Sequence, residues 1–164
     1  MSENVAANTT ASAALRLFGR WGKTGPGRWL CSRLICSRAP YFSSISPLLE
    51  SLDPGSCVAS MQHRRRVQNH IGTVHAIALC NLAEFVGGLA TDAAMTRNLR
   101  WIPKGMTVSY LKKAVGPMRA EALLDPIGDI GAGAERLARV IVRDQAGEAV
   151  FTANISMWLS PKKS

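Results

Sequence analysis

One carboxylate, Glu84, stands inside a long apolar run, and a loop carrying Gly72, Thr73 and His75 stands just before that run. A carboxylate can attack a carbonyl or draw a proton from water. Backbone N–H groups freed at a helix start favour the negative charge that such an attack creates. The loop is where an oxyanion would bind, and a lone acid inside an apolar helix needs explaining. Glu84 lies nine residues beyond His75, about two and a half helical turns, so one helix cannot bring them together. A site using both must combine two chains or lay the substrate along the helix.

The element that carries this chemistry is a helix. From Val74 to Met95 there is no proline, and Ala76, Leu79, Ala83, Val86 and Ala90 recur at spacings of three and four. Ile77, Leu82, Phe85 and Leu89 make the other side apolar too, so the helix is expected to be buried nearly all round. His75, Asn81, Glu84 and Asp92 argue against a membrane span.

The spacing Asn69, Gly72, His75 and then Glu84 resembles that of the hotdog-fold acyl-CoA thioesterases, in particular the phenylacetate-pathway type. The likeness covers roughly residues 40 to 160, and the chain looks closest to a hotdog branch of uncharacterised function. In that family the loop and helix start come from one subunit and the catalytic carboxylate from the central helix of its partner. The resemblance implies Glu84 as nucleophile or general base, Asn69 and His75 as groups that position the thioester or the loop, and the Ala76 backbone N–H as the group that polarises the carbonyl. It also implies an acyl-CoA substrate and self-association as a dimer or dimer of dimers, with no cofactor beyond the coenzyme A of the substrate. The chain departs from the family at Ala76-Ile77, where two glycines are usual; a backbone donor survives, but the approach narrows.

The pattern by itself allows the same fold: α+β, a long central helix wrapped by an antiparallel sheet of about six strands, with short N-terminal helices. Residues 1–12 read as a disordered tail, 13–39 as an N-terminal helical segment and 40–164 as the hotdog domain. Between Ala13 and Arg38 apolar and basic residues alternate, and Gly25-Pro26-Gly27 splits the stretch into two short helices. Pro40 and Pro47 bracket an extended segment, and Asp53-Pro54-Gly55 marks a turn between strands at Ser46–Leu52 and Ser56–Val67. Strands are expected at Met106–Ala114, Met118–Leu124, Glu135–Arg143 and Glu148–Leu159, the last with the clearest alternation. Gly131-Ala132-Gly133 reads as a turn or bulge.

A net charge of +9 over 164 residues asks for an anionic partner. Arg64, Arg65, Arg66, Lys112 and Lys113, with Lys162 and Lys163, are candidates for the phosphates of coenzyme A, against solvated surface charge as the plain alternative. Nucleic acid is disfavoured, since neither a recognised binding module nor basic-aromatic interleaving follows Arg38. Cys31, Cys36, Cys57 and Cys80 lack zinc spacing and read as reduced thiols, with Cys80 packed in the core. Strand and loop geometry would scatter His63, His70 and His75, so no metal is expected. Neither a phosphate-cradling GxxxxGK[ST] run nor GxGxxG occurs. The lack of a secretory apolar region points to the cytoplasm; the acid-free, Arg- and Ser-rich stretch from residue 4 to 49, shared with transit peptides, makes mitochondria the alternative. Two other classes remain: a non-catalytic acyl-CoA binder, and a hotdog dehydratase, which is weaker because its Asp and His in one short segment are missing.

Overall fold

The computed structural model describes residues 11–162; most of the expected disordered tail, and Lys163, lie outside the described residues. Two helices, α1 (Ala13–Trp21) and α2 (Gly25–Arg38), lead through a short 3₁₀ turn (Pro40–Ser44) into β1 (Leu48–Asp53) and β2 (Ser56–Met61). A second 3₁₀ turn (Arg65–Val67) precedes the long helix α3 (Ala76–Ala94). Four strands follow: β3 (Leu99–Tyr110), β4 (Met118–Leu124), β5 (Ala134–Arg143) and β6 (Ala149–Pro161). They form one antiparallel sheet in the order β1-β2-β4-β5-β6-β3. The sheet curls around α3, which packs against every strand of it. This is the hotdog fold.

Burial explains why α3 is so apolar. Leu82, Phe85 and Val86 are fully buried, and the sheet meets them with Met118, Val140, Val142, Ile155 and Met157. Each large side chain taken from water in this layer contributes about 1.5–3 kcal/mol. The helix is apolar and long enough for a bilayer by composition, yet 61% of that window is buried inside the protein. Burial is not complete, however. Ile77 and Glu84 are exposed, with Cys80 and Gly88 half-buried on the same stripe. The expectation of a helix buried nearly all round is corrected here: the stripe through residues 77, 80, 84 and 88 is covered only in part, by Tyr110 and Trp101 of the edge strand β3.

Local chemistry accounts for the boundaries that differ from expectation. The two expected short helices form, with Gly25-Pro26-Gly27 opening the second instead of lying between them, because the Thr24 side chain accepts from the Gly27 N–H and Pro26 suits the first turn. Pro40 likewise starts a 3₁₀ turn where an extended stretch was expected. β2 ends at Met61, six residues early, because the chain turns through Arg65–Val67 toward the loop. β3 begins seven residues before the expected Met106 and runs through Pro103, which an edge strand tolerates, with an irregularity between Pro103 and Gly105. At the β1–β2 turn Pro54 is followed by Gly55 at φ +82°, the left-handed conformation a type II turn needs. The Gly55 N–H donates to the Ala90 carbonyl at 3.1 Å, tying this hairpin to α3.

Candidate active site

The loop before α3 is held from several directions. Asn69 closes it: its Oδ1 accepts from the N–H groups of Ile71 and Thr73, both at 3.1 Å, and its amide donates to Thr73 Oγ1 at 2.7 Å. Gly72, at φ +79°, supplies the left-handed turn inside this clamp. At either end the Val74 N–H donates to Ala114 O at 2.8 Å and the His75 N–H to Val67 O at 2.8 Å. Asn69 is therefore spent on the loop itself.

His75 caps the helix. Its Nδ1 accepts from the Ile77 N–H at 3.0 Å, the role more often taken by Ser or Asp. The Ala76 N–H, one residue earlier, has no acceptor among the described residues. It stands half-open at a helix start, where the aligned peptide dipoles add to its attraction for negative charge. Ile77 projects beside it, 55% exposed.

Glu84 lies eight residues along the same helix from Ala76, about 12 Å at the helical rise. It is exposed, on the wall of an apolar groove shared with Phe85, Leu89 and Trp101. No salt bridge holds it among the described residues. The carboxylate is thus open to solvent, and the loop of its own chain is out of reach.

Arg64, Arg65 and Arg66 lead directly into the loop, all exposed and without an ion pair among the described residues. Arg66 shares a 220 Å³ cleft with Tyr41, His75, Ile77 and Asn81. Lys113 is exposed and unpaired in the same sense. Lys112 differs: it bridges Asp144 at 2.8 Å and also pairs with Glu148. These contacts, Asp144 foremost, raise the Lys112 ammonium, and Lys112 in turn holds the Asp144 carboxyl below its usual value. Lys112 ties the β3–β4 connection to the β5–β6 turn.

His63 is held at the β3–β4 connection, its Nδ1 accepting from the Gly116 N–H at 3.0 Å. Among the described residues no three His, Cys, Asp or Glu side chains gather closely enough for a metal. Burial pushes the thiols of Cys31, Cys36 and Cys57 up. The expected core position of Cys80 is corrected: it is half-buried on the open stripe, 3.4 Å from Tyr110 Oη. The hydrogen bond with Cys80, followed by partial burial and then by the charge of the thiol, pushes the Tyr110 phenol up to about 12.

Sequence reasoning missed three features of this region. Tyr110 is 30 residues from Cys80 and nothing local announces their contact. Asn81, 5% exposed, donates to Ser44 Oγ at 3.1 Å while its Oδ1 is buried without a partner; a polar residue within an apolar helix was its only signal. The groove beside Glu84 is built partly by α1 and α2, whose alternating pattern shows an apolar side but not what it faces.

Residues 27–159 match the model of a family described as a domain of unknown function, DUF4442. The chain belongs to that family. A solved structural-genomics protein, APC5556, is 41% identical, with a TM-score of 0.78 over 90% of this chain and 97% of its own. A Pseudomonas aeruginosa protein of unknown function, described as a probable thioesterase, is 27% identical, with a TM-score of 0.74 over 81% of this chain and 95% of its own. A Haemophilus influenzae thioesterase shares the fold at 16% identity, with a TM-score of 0.70 over 86% of this chain and 94% of its own. No curated protein matches the chain in sequence. The DUF4442 chain thus has the architecture of the hotdog thioesterase superfamily.

Proposed function

We propose that this DUF4442 protein is a thioesterase-type hydrolase that converts an acyl-CoA thioester to a carboxylic acid and free coenzyme A. The observation that carries the reading is the pairing of a solvent-open, unbridged Glu84 on the central helix with an unsatisfied Ala76 N–H at that helix's start. The Pseudomonas aeruginosa relative, described as a probable thioesterase, supports the reaction class.

In this mechanism Glu84 takes a proton from water as the water oxygen attacks the thioester carbonyl. The carbonyl oxygen becomes an oxyanion and accepts a hydrogen bond from the Ala76 N–H, strengthened by the helix start. The tetrahedral intermediate collapses, the C–S bond breaks, and the departing coenzyme A thiolate takes the proton from Glu84. The acid and the thiol are the products.

Because Ala76 and Glu84 of one chain are about 12 Å apart, the donor and the base acting on one carbonyl come from two copies. β3 supports such an assembly: it is an edge strand of twelve residues, and Ile102 and Tyr110 on it are 59% and 52% exposed. A long open edge with apolar side chains is a ready pairing surface. Arg64, Arg65, Arg66 and Lys113 would meet the coenzyme phosphates. The test is thiol release from acyl-CoA by wild type and Glu84→Gln on the same preparation. Saturable acyl-CoA binding with no thiol release by wild type would replace hydrolysis with the non-catalytic binder.

A further inference from the structure

The groove that holds Glu84 continues past it. It encloses 660 Å³ between α3 on one side and α1 and α2 on the other, with Trp101 of β3 closing the far wall. Leu17, Leu34, Ile35, Phe42 and Leu89 line it; of its polar groups Ser37, Arg38 and Glu84 are exposed to solvent, and Asp92, half-buried, marks the far end. Along α3 it spans Glu84 to Asp92, about 12 Å at the helical rise. An apolar cleft of this size with few polar groups has the form of a ligand site, and such a surface is costly to leave in water.

Two details give the groove a direction. Gly88 lies one turn beyond Glu84, and a Cβ there would come within 3.2 Å of the Trp101 ring, so the missing side chain lets Trp101 of β3 pack closely on α3 and form the groove's wall next to the carboxylate. On the opposite wall α1 contributes Ala13, Ala14 and Leu17, and none of its residues is fully buried. Its inner side is shared: Leu15 and Phe18 pack against the core, while Ala13 and Leu17 line the groove and Ala14 does both. α1 also precedes the residues 27–159 that match the family, so this wall comes from outside the matched segment.

We propose that this groove is the acyl-chain site and takes a straight acyl group of medium length, with the thioester end at Glu84 and the chain lying under α1 toward Asp92. The proposal rests on the thioesterase reading for its substrate, but the groove can be tested without catalysis. The occupant is an acyl chain and not a second copy of the protein because the chain's own α1 and α2 already roof the groove.

The experiment measures thiol release from acetyl-, hexanoyl-, decanoyl- and palmitoyl-CoA with full-length wild type, Ala14→Trp and Leu17→Ala, and decanoate binding by calorimetry on the same samples. Circular dichroism and light scattering report fold and oligomer. In wild type kcat/KM should rise by about fourfold per methylene until the groove is full, the factor that burying one methylene supplies. Ala14→Trp, which fills the groove, should lower the decanoyl-to-acetyl ratio of kcat/KM by at least about tenfold, two methylenes' worth of lost burial being enough. Leu17→Ala, which widens it, should move the optimum toward palmitoyl-CoA, and stands alone if Ala14→Trp does not fold. A decanoyl-to-acetyl ratio unchanged in the folded variants overturns the proposal. So does a change of oligomer without a change of ratio, which would make the groove a contact between copies. If no thioester is cleaved, decanoate binding that Ala14→Trp abolishes keeps the groove and removes the hydrolase. Absence of decanoate binding together with absence of cleavage removes both.

Discussion

The Nδ1 atom of His75 accepts a hydrogen bond from the Ile77 N–H at 3.0 Å, so the imidazole itself caps the helix that carries Glu84. A cap of this kind satisfies one of the free donors at a helix start and leaves the Ala76 N–H as the neighbour still open. His75→Ala should destabilise the protein by about 1 kcal/mol, the usual value of a lost cap, and His75→Asn should recover most of it. Denaturant unfolding of the three proteins checks this. Equal midpoints for wild type and His75→Ala would mean the cap does not hold the helix start.

Glu84→Gln keeps the size and polarity of the side chain and removes its basicity. Turnover should fall at least ~10²-fold, the range for a lost general base. Because the side chain is exposed and unbridged, stability should stay within about 0.5 kcal/mol of wild type. A structural acid would give the reverse pattern, a shifted melting temperature with turnover intact.

The phenol of Tyr110, raised from 10.0 to about 12 by its hydrogen bond to Cys80 in the first place, makes a claim about alkaline stability. The neutral phenol is favoured in the folded state, so its contribution is complete below pH 10 and is lost as pH climbs from 10 toward 12. The side chain is half exposed, so solvent reduces the effect. Tyr110→Phe should flatten the decline in melting temperature over that window, and an absorbance titration should lose its latest-titrating tyrosine. Identical pH profiles for the two proteins would remove the contact from the alkaline response.

Gly87 faces the sheet so closely that a Cβ would stand 2.8 Å from Ile155 Cδ1 and 3.6 Å from Ala138 Cβ. Gly87→Ala meets the flexible end of one side chain, whereas Gly87→Val forces a wider displacement of α3. The valine variant should cost about 1–3 kcal/mol, the usual penalty of overpacking. Thermal unfolding checks it, with the alanine variant expected to lie between valine and wild type.

How much of this was legible in the sequence depends on what set each feature. β6 alternates from Phe151 onward because its two faces meet different surroundings, so it was readable, and β4 kept its expected bounds. α3 was readable as a helix, but its apolar composition hid the open stripe at Ile77 and Glu84, since an apolar residue facing a groove looks the same as one facing a sheet. The first half of β3 was lost because Pro103 argues against a central strand, and edge position is a tertiary fact. Of the loop, Gly72 announced a turn, but the Asn69–Thr73 clamp and the His75 cap depend on where side-chain atoms point. The Cys80–Tyr110 contact was beyond any local pattern.

The two-copy site can be tested by complementation. Ala76→Pro removes the open N–H, and proline suits the first position of a helix. His75 is already extended, at φ −64° and ψ 138°, as a residue before proline must be. The helix should therefore persist while the oxyanion loses its donor. Ala76→Pro and Glu84→Gln should each be nearly inactive alone. In a mixed dimer, the N–H from the Glu84→Gln subunit and the carboxylate from the Ala76→Pro subunit rebuild one whole site, and the other site carries both defects. Random exchange makes half the dimers mixed, so activity should return to about one quarter of wild type, following from the two-fold symmetry of such an interface. Dilute co-refolding followed by thiol-release assay measures this. If subunits demonstrably exchange and activity does not return, the donor and the base do not meet across two copies.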